Sequence, residues 1–391
     1  MSIIVTGGDG YLGWPAALRI ADRTDDRVVL VDNFGRREWV EEIGSVSAVP
    51  IASIDERIEA AEEVLGLTNL SFVEGDLTEK SFVDQLLSVH EPDTIVHTAA
   101  QPSAPYSQIN GERANYTQHN NMQATRNLLW GLEEQDMTDT HFIETTTTGV
   151  YGAPEFPIPE GGATMENQGE RDEVPFPAMA GSWYHLTKSH DAANMRLAHS
   201  QFDIPISDVR TAITYGTEVE ETRADPRLKT RFDFDYYFGV VAHRFAAQAV
   251  SGYPVTIYGK GEQRKPFISL EDAVEGLARV ALVDPDERPD DLTVYNQVTR
   301  AISIVEVGET IAEVADDYDL DVAVEHFENP RDEDETHKME IENDRYLDLI
   351  DGQDQTFAEG VADIFATLTE HAGRIESHED RFLPGVLEPD E

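Results

Sequence analysis

Short apolar runs alternate with helix-spaced apolar positions through the first half of the chain. Residues 2–6 form an apolar β run, and residues 11–23 then carry Leu12, Ala16, Leu18 and Ile20 at helical spacing. Further β runs fall at 27–31, 70–73, 94–97, 141–145 and 204–210, with helical stretches at 81–87, 116–132 and 182–200. Strands alternating with helices predict a parallel sheet covered on both faces. Right-handed crossovers make it a doubly wound, Rossmann-type α/β sheet. The second half is less regular. It predicts a helix over 234–250, strands over 254–258 and 292–297, a helix over 305–317 and helical patches near 359–371. The expected division is a Rossmann domain over 1–213, with returns near 234–250 and 292–300, interleaved with a smaller α/β domain over 214–391. Two insertions stand out. Residues 36–67 are long for one crossover, and residues 155–178, rich in Pro, Gly and Glu, read either as a lid or as a plain surface loop.

Composition narrows the picture. Lys and Arg total 29 against 77 Asp and Glu, a formal charge of −48. That balance excludes a general nucleic-acid binder, which needs a basic face, and argues against docking on anionic lipid. Apolar residues still make up 40% of the chain, so the charge is not a signature of disorder. It matches a halophilic surface working in molar salt, where self-repulsion is screened. The expected result is a melting temperature that falls as salt is withdrawn, and full stability in salt-free buffer would refute it. With no cysteine, thiolate metal sites and cysteine nucleophiles are excluded, and no metal site is predicted. The chain opens directly on Ile3-Ile4-Val5 and has no membrane-length apolar stretch, so the expectation is a cytoplasmic protein without membrane insertion.

The first predicted turn reads Thr6-Gly7-Gly8-Asp9-Gly10-Tyr11-Leu12-Gly13. Gly8, Gly10 and Gly13 fit G-x-G-x-x-G, and Gly7, Gly10 and Gly13 fit the related G-x-x-G-x-x-G. Between a strand and a helix, this spacing lets backbone amides approach a pyrophosphate. Asp32, with Asn33 beside it, ends the next strand and suits the adenosine ribose hydroxyls of NAD. Arg36 and Arg37 follow and pull toward NADP. Asp76 and Leu77, after the third strand, are placed beside the adenine; the alternative for Asp76 is a helix cap.

Tyr184 and Lys188 stand four apart on one helical face. A neighbouring ammonium favours the phenolate, so such a tyrosine can take a proton from a sugar hydroxyl. Lys188 also suits the nicotinamide ribose. Thr147, in the run Thr145–Thr148 at the end of a predicted strand, is the candidate to hydrogen-bond the same hydroxyl; plain β-propensity is the alternative.

Together these features resemble the extended short-chain dehydrogenase/reductases that act on nucleotide sugars. Longer stretches narrow the resemblance to the UDP-sulfoquinovose synthase family: Pro50-Ile51-Ala52-Ser53-Ile54, Ser103-Ala104-Pro105-Tyr106-Ser107, Tyr116-Thr117-Gln118-His119-Asn120-Asn121, Tyr258-Gly259-Lys260-Gly261 and Asn329-Pro330-Arg331. The resemblance implies NAD-dependent oxidation of UDP-glucose at C4, loss of water across C5–C6, addition of sulfite at C6 and return of hydrogen to C4. It implies a homodimer through the helices at 116–132 and 182–200, and leaves open a partner protein that delivers sulfite. Sugar 4,6-dehydratases carry an Asp-Glu pair after the catalytic threonine, where this chain has Thr148-Gly149. His185 is the replacement that the family pattern favours, and a structural histidine is the alternative. Gln101, Ser103, Tyr106, Gln118, His119 and Asn120 are implied near the sugar. Arg244, Thr256, Tyr258, Lys265 and Arg331 are implied near UDP, with ion pairing or core packing as their alternative.

The chain also departs from the family. Pro102 stands where an arginine for sulfite is expected, Lys265 replaces an arginine, and Arg210-Thr211 replace an Asn-Gln pair. Arg210 and Arg264 are two candidates to restore the missing positive charge. A UDP-hexose 4-epimerase needs only Thr147, Tyr184 and Lys188, and is the competing enzymatic reading. An NAD-binding regulatory protein that lost turnover is the non-enzymatic one.

Overall fold

The structure is a computed structural model that describes residues 1–176, 179–288, 291–328, 338–351 and 355–384. From the N-terminus run β1 (Ser2–Thr6), α1 (Gly13–Arg23), β2 (Arg27–Asp32), α2 (Gly35–Glu42), α3 (Ile54–Ala60), β3 (Leu70–Glu74), α4 (Lys80–His90), β4 (Thr94–His97), α5 (Gly111–Glu134) and β5 (His141–Thr147). A hairpin of β6 (Gly162–Asn167) and β7 (Glu170–Pro175) leads to α6 (Trp183–Phe202) and β8 (Ile206–Thr211). Then come β9 (Ile213–Tyr215), the short α7 (Glu220–Arg223), α8 (Val241–Val250), β10 (Val255–Tyr258), β11 (Arg264–Ser269), α9 (Leu270–Ala281) and β12 (Thr293–Gln297). The C-terminal part adds β13 (Arg300–Ser303), α10 (Ile304–Asp316), β14 (Val324–Phe327), α11 (Asp344–Leu349) and α12 (Phe357–Leu368).

The central sheet has the order β12-β8-β5-β4-β1-β2-β3, and every pairing in it is parallel. Alternation along β1 explains its two faces. Ile3 and Val5 join a core with Trp14, Ala17, Leu18 and Leu277 from α1 and α9. Ile4 joins the opposite core with Leu87, Leu128 and Met195 from α4, α5 and α6. Helices on both faces bury most of the sheet, and β1, β2 and β4 read as short continuous apolar runs. A third core, with Phe232, Phe245, Ile257, Phe267, Ile311 and Phe365, holds the second lobe. Its strands pair as β13-β11-β9 and β10-β14. The sheet reverses direction of winding between β1 and β4, which is where such folds open a ligand crevice.

One expectation changes and two gain detail. The helix predicted over 234–250 is helical only from Val241 to Val250. The Asp235 carboxylate accepts hydrogen bonds from the amides of Tyr237 (2.8 Å) and Phe238 (2.8 Å), a side-chain-to-backbone turn that competes with helix. The insertion at 36–67, long for one crossover, holds the helices α2 and α3, joined by a loop over 43–53. Ser53 and Glu56 form a reciprocal capping box at the start of α3. The segment at 155–178 contains the β6–β7 hairpin; residues 177 and 178 lie outside the described residues. Ile158 pins its base, donating to Glu340 O (2.9 Å) and accepting from the Glu342 amide (2.9 Å).

Candidate active site

One large cleft, about 1250 Å³, opens at the C-terminal ends of β1, β4 and β5, beneath the second lobe. The glycine turn forms its floor. Gly7 has φ +73°, and a Cβ on it would lie 2.7 Å from Thr98 Oγ1. A Cβ on Gly13 would lie 2.1 Å from Gly7 O, so α1 approaches the turn only because residue 13 has no side chain. No side chain caps α1 at Leu12, and its first turn faces the cleft, the arrangement that receives a phosphate. Gly7, Gly10, Tyr11, Leu12, Gly13, Asp32, Asn33 and Arg36 line the cleft. Gly8 does not; it packs under Leu30, where a Cβ would be 2.7 Å from the leucine side chain. Asp32 accepts from the amides of Asp9 (2.9 Å) and Phe34 (2.7 Å), and burial raises its pKa. A smaller cavity beside it is lined by Asp32, Asn33, Asp76, Leu77 and Asn120. Asp76 also holds the turn there, accepting from the Thr78 amide at 2.8 Å. The cradle, the acid at the end of β2 and the flanking cavity fit a dinucleotide.

Across the cleft stand Thr147, Tyr184, His185 and Lys188. Thr147 Oγ1 accepts from the Gly149 amide at 3.1 Å, which leaves its hydrogen available to a substrate oxygen. Ser182 caps α6 by accepting from the His185 amide (3.1 Å), and its hydroxyl also meets His185 Nδ1 at 3.0 Å. The cap therefore fixes both the helix start and the imidazole. The other edge of that ring lies over Gly149: a Cβ there would sit 2.4 Å from His185 Cδ2 and Nε2.

Lys188 is buried, with Nζ 3.0 Å from Glu144 Oε1 and 3.8 Å from Asp191 Oδ2. Burial works against its charge, but Glu144, Asp191 and Tyr184 outweigh it and raise its pKa, so it stays an ammonium. Burial pushes the Tyr184 phenol up, the Lys188 charge pulls it back, and Asp191 and Glu144 oppose that pull. Burial, reinforced by Glu144, holds the Asp191 carboxyl well above the ordinary range.

The second lobe supplies Arg244, Thr256, Tyr258 and Lys265 to the cleft, and Ser103 joins them from the loop after β4. Other candidates lie elsewhere. Gln101 is buried, its amide donating to Asn121 Oδ1 (2.8 Å), and Tyr106 packs on Phe238 with its hydroxyl on Glu42. Gln118 donates to Trp183 O, and His119 is exposed on α5. Arg331 lies outside the described residues. Neither candidate for the missing positive charge reaches the cleft. Arg210 donates to Asp208 (2.9 Å) and sits 4.9 Å over Tyr151, while Arg264 turns to Glu306 (3.1 Å). On β11, consecutive residues point to opposite faces, so Lys265 faces in and Arg264 out. Sequence reasoning missed Arg231, Asp233, Tyr236 and His243, all on the cleft wall. Arg36 and Arg231 both donate to Asp233, at 2.7 Å and 2.9 Å, tying the two lobes together. The local signal for the first three was the alternation of charges and aromatics over residues 231–235, followed by three aromatics at 236–238.

Comparison with known proteins agrees with this geometry. The family model described as NAD dependent epimerase/dehydratase matches residues 3–296. A UDP-sulfoquinovose synthase of Sulfolobus acidocaldarius is 38% identical over 339 residues, covering 86% of this chain and 84% of that protein. A chloroplastic UDP-sulfoquinovose synthase of Spinacia oleracea is 35% identical over 347 residues, covering 89% of this chain and 71% of that protein. Among solved structures, a UDP-glucose 4-epimerase of Thermotoga maritima overlays with a TM-score of 0.69 at 19% identity, covering 95% of this chain and 99% of that one, a likeness of fold. With the glycine cradle, the Tyr184–Lys188 pair and these similarities in hand, the chain belongs to the NAD dependent epimerase/dehydratase family and, within it, groups with the UDP-sulfoquinovose synthases.

Proposed function

We propose that this chain converts UDP-glucose and sulfite, with NAD as recycled cofactor, into UDP-sulfoquinovose and water. The observation that carries this reading over simple epimerisation is the His185 ring standing over Gly149. The imidazole fills the space in which a side chain at 149 would stand, so an acid–base group replaces the Asp-Glu pair of ordinary sugar dehydratases.

NAD, when bound, supplies the acceptor and then the donor of the sugar's C4 hydrogen. Gly7, Gly10, Gly13 and Asp32 would hold it. The residues of the chain handle protons. Tyr184 takes the C4 hydroxyl proton, with Lys188 stabilising the phenolate and Thr147 donating to the same oxygen. The resulting 4-ketone acidifies the C5 hydrogen, and His185 is placed to move protons during loss of the C6 hydroxyl. Sulfite then adds at C6 of the 4-keto-5-ene. Arg244 and Lys265 face the diphosphate. A homodimer, a sulfite-delivering partner and operation in high salt belong to the same proposal.

The test is mass spectrometry of the chain incubated in high salt with UDP-glucose, NAD and sulfite. A sulfonated UDP-hexose is expected; UDP-galactose alone would replace this reading with the 4-epimerase. His185→Asn should keep oxidation at C4, read as reduced nicotinamide formed on mixing with UDP-glucose, but cut C5 exchange with deuterated water, and the sulfonated product, by about 10²-fold or more. Equal loss at both carbons would return His185 to a structural role.

A further inference from the structure

Two arginines follow β2, the place where a guanidinium commonly accepts the 2′-phosphate of NADP. Both are ion-paired. Arg36 donates through Nε (3.0 Å) and Nη2 (2.7 Å) to Asp233 and lies 4.1 Å over Phe238. Arg37 forms a two-point pair with Asp9, Nε to Oδ2 at 2.7 Å and Nη2 to Oδ1 at 2.6 Å, and its Nη2 also donates to Ala52 O at 3.0 Å.

Asp9 is unusual for a glycine turn. Its side chain is 2% exposed and binds a second cation, Arg57 Nη1, at 2.8 Å. Arg57 is itself buried and sits 4.1 Å over Trp14 of α1. The Asp9 amide, meanwhile, donates to Asp32 Oδ2. One residue thus joins the phosphate turn, the ribose acid and the insertion carrying α2 and α3. Arg37 remains one-third exposed, so it lies near enough to solvent to meet a ligand once released.

We propose that Asp9 is a cofactor-specificity residue: by clamping Arg37 it withholds the guanidinium that a 2′-phosphate needs, and so enforces NAD over NADP. Asp32 repels that phosphate; Asp233 holds Arg36, and Asp9 holds Arg37. The inference rests on the dinucleotide reading of the cleft.

The experiment measures dissociation constants of NAD and NADP by fluorescence quenching and thermal shift, independent of turnover. In Asp9→Asn the NADP-to-NAD ratio of dissociation constants should fall at least about 10-fold from that of the native chain, since a charge-assisted pair to phosphate becomes possible. Asp9→Asn/Arg37→Gln should restore the native ratio. Because Asp9→Asn strands the buried Arg57, Asp9→Asn/Arg57→Met removes both buried charges and should show the same fall. An unchanged ratio in both Arg37-bearing variants, or a fall that survives Arg37→Gln, overturns the proposal. A native chain that binds neither nucleotide would instead overturn the dinucleotide reading, and the inference with it.

Discussion

Tyr184→Phe will lose about 10²–10⁴-fold in turnover while binding UDP-glucose and NAD as the native chain does. In the proposed function the phenol is the acid–base group; it lines the cleft with Thr147, and phenylalanine keeps its packing against His185, ring centroids 5.2 Å apart. Only the oxygen goes. Thr147 cannot substitute, because an aliphatic hydroxyl is far too weak an acid to ionise near neutral pH and so has no basic form to take the sugar's proton. In the native chain the rate should rise with pH as the phenol ionises; burial holds that limb up and Lys188 draws it down. The Phe variant should lose the limb as well as the rate. Stopped assays across pH, with equilibrium binding of UDP-glucose, separate the two effects. A variant that retains turnover and limb would remove Tyr184 from the chemistry.

Lys188→Met carries the second large effect, on stability and rate together. The ammonium is the charge partner of Glu144, which is fully buried. Removing one member of a buried pair leaves the other uncompensated, at about 3–5 kcal/mol. Thr125 Oγ1, 3.2 Å from Glu144 Oε2, offsets part of that. Turnover should fall as far as in Tyr184→Phe, because the phenolate loses its neighbouring charge. Lys188→Met/Glu144→Gln separates the two roles. It should recover most of the lost stability in denaturant titrations and none of the lost rate. A single variant as stable as the native chain would show that the pair is not structural, and a double variant that regains turnover would show that Lys188 acts only through Glu144.

Local signals and long-range contacts differ in how far the sequence revealed them. The glycine turn, Asp32 and the four-residue step from Tyr184 to Lys188 were legible because each depends on spacing within one strand–turn–helix unit. Strands β1, β2 and β4 were legible because buried parallel strands read as short apolar runs. What was not legible depends on which way a side chain turns. Arg264 and Lys265 are neighbours, yet one faces Glu306 and the other the cleft. Gln118 and His119 sit on α5, where Asn121 is the residue turned inward, bonded to Gln101 O and Thr187. The Glu144–Lys188 pair joins a strand to a helix that is 44 positions away, and no periodicity reports such a meeting. The loop at 234–240 reads as helix by pattern, and a single carboxylate on two amides overrides it.

The return of β12 to the sheet carries a consequence for biosynthesis. Its partner β8 is buried at every position, and the backbone of β8 meets β12 from Ser207 to Thr211. A ribosome has released β8 some 80 residues before it makes β12, so the nascent chain holds a strand with one open edge and uncovered backbone during that interval. Such edges recruit other strands, and distant pairings form slowly. Polypeptides terminated within the second lobe should therefore aggregate rather than persist as a folded nucleotide-binding half, and chaperone demand during translation should peak over that stretch.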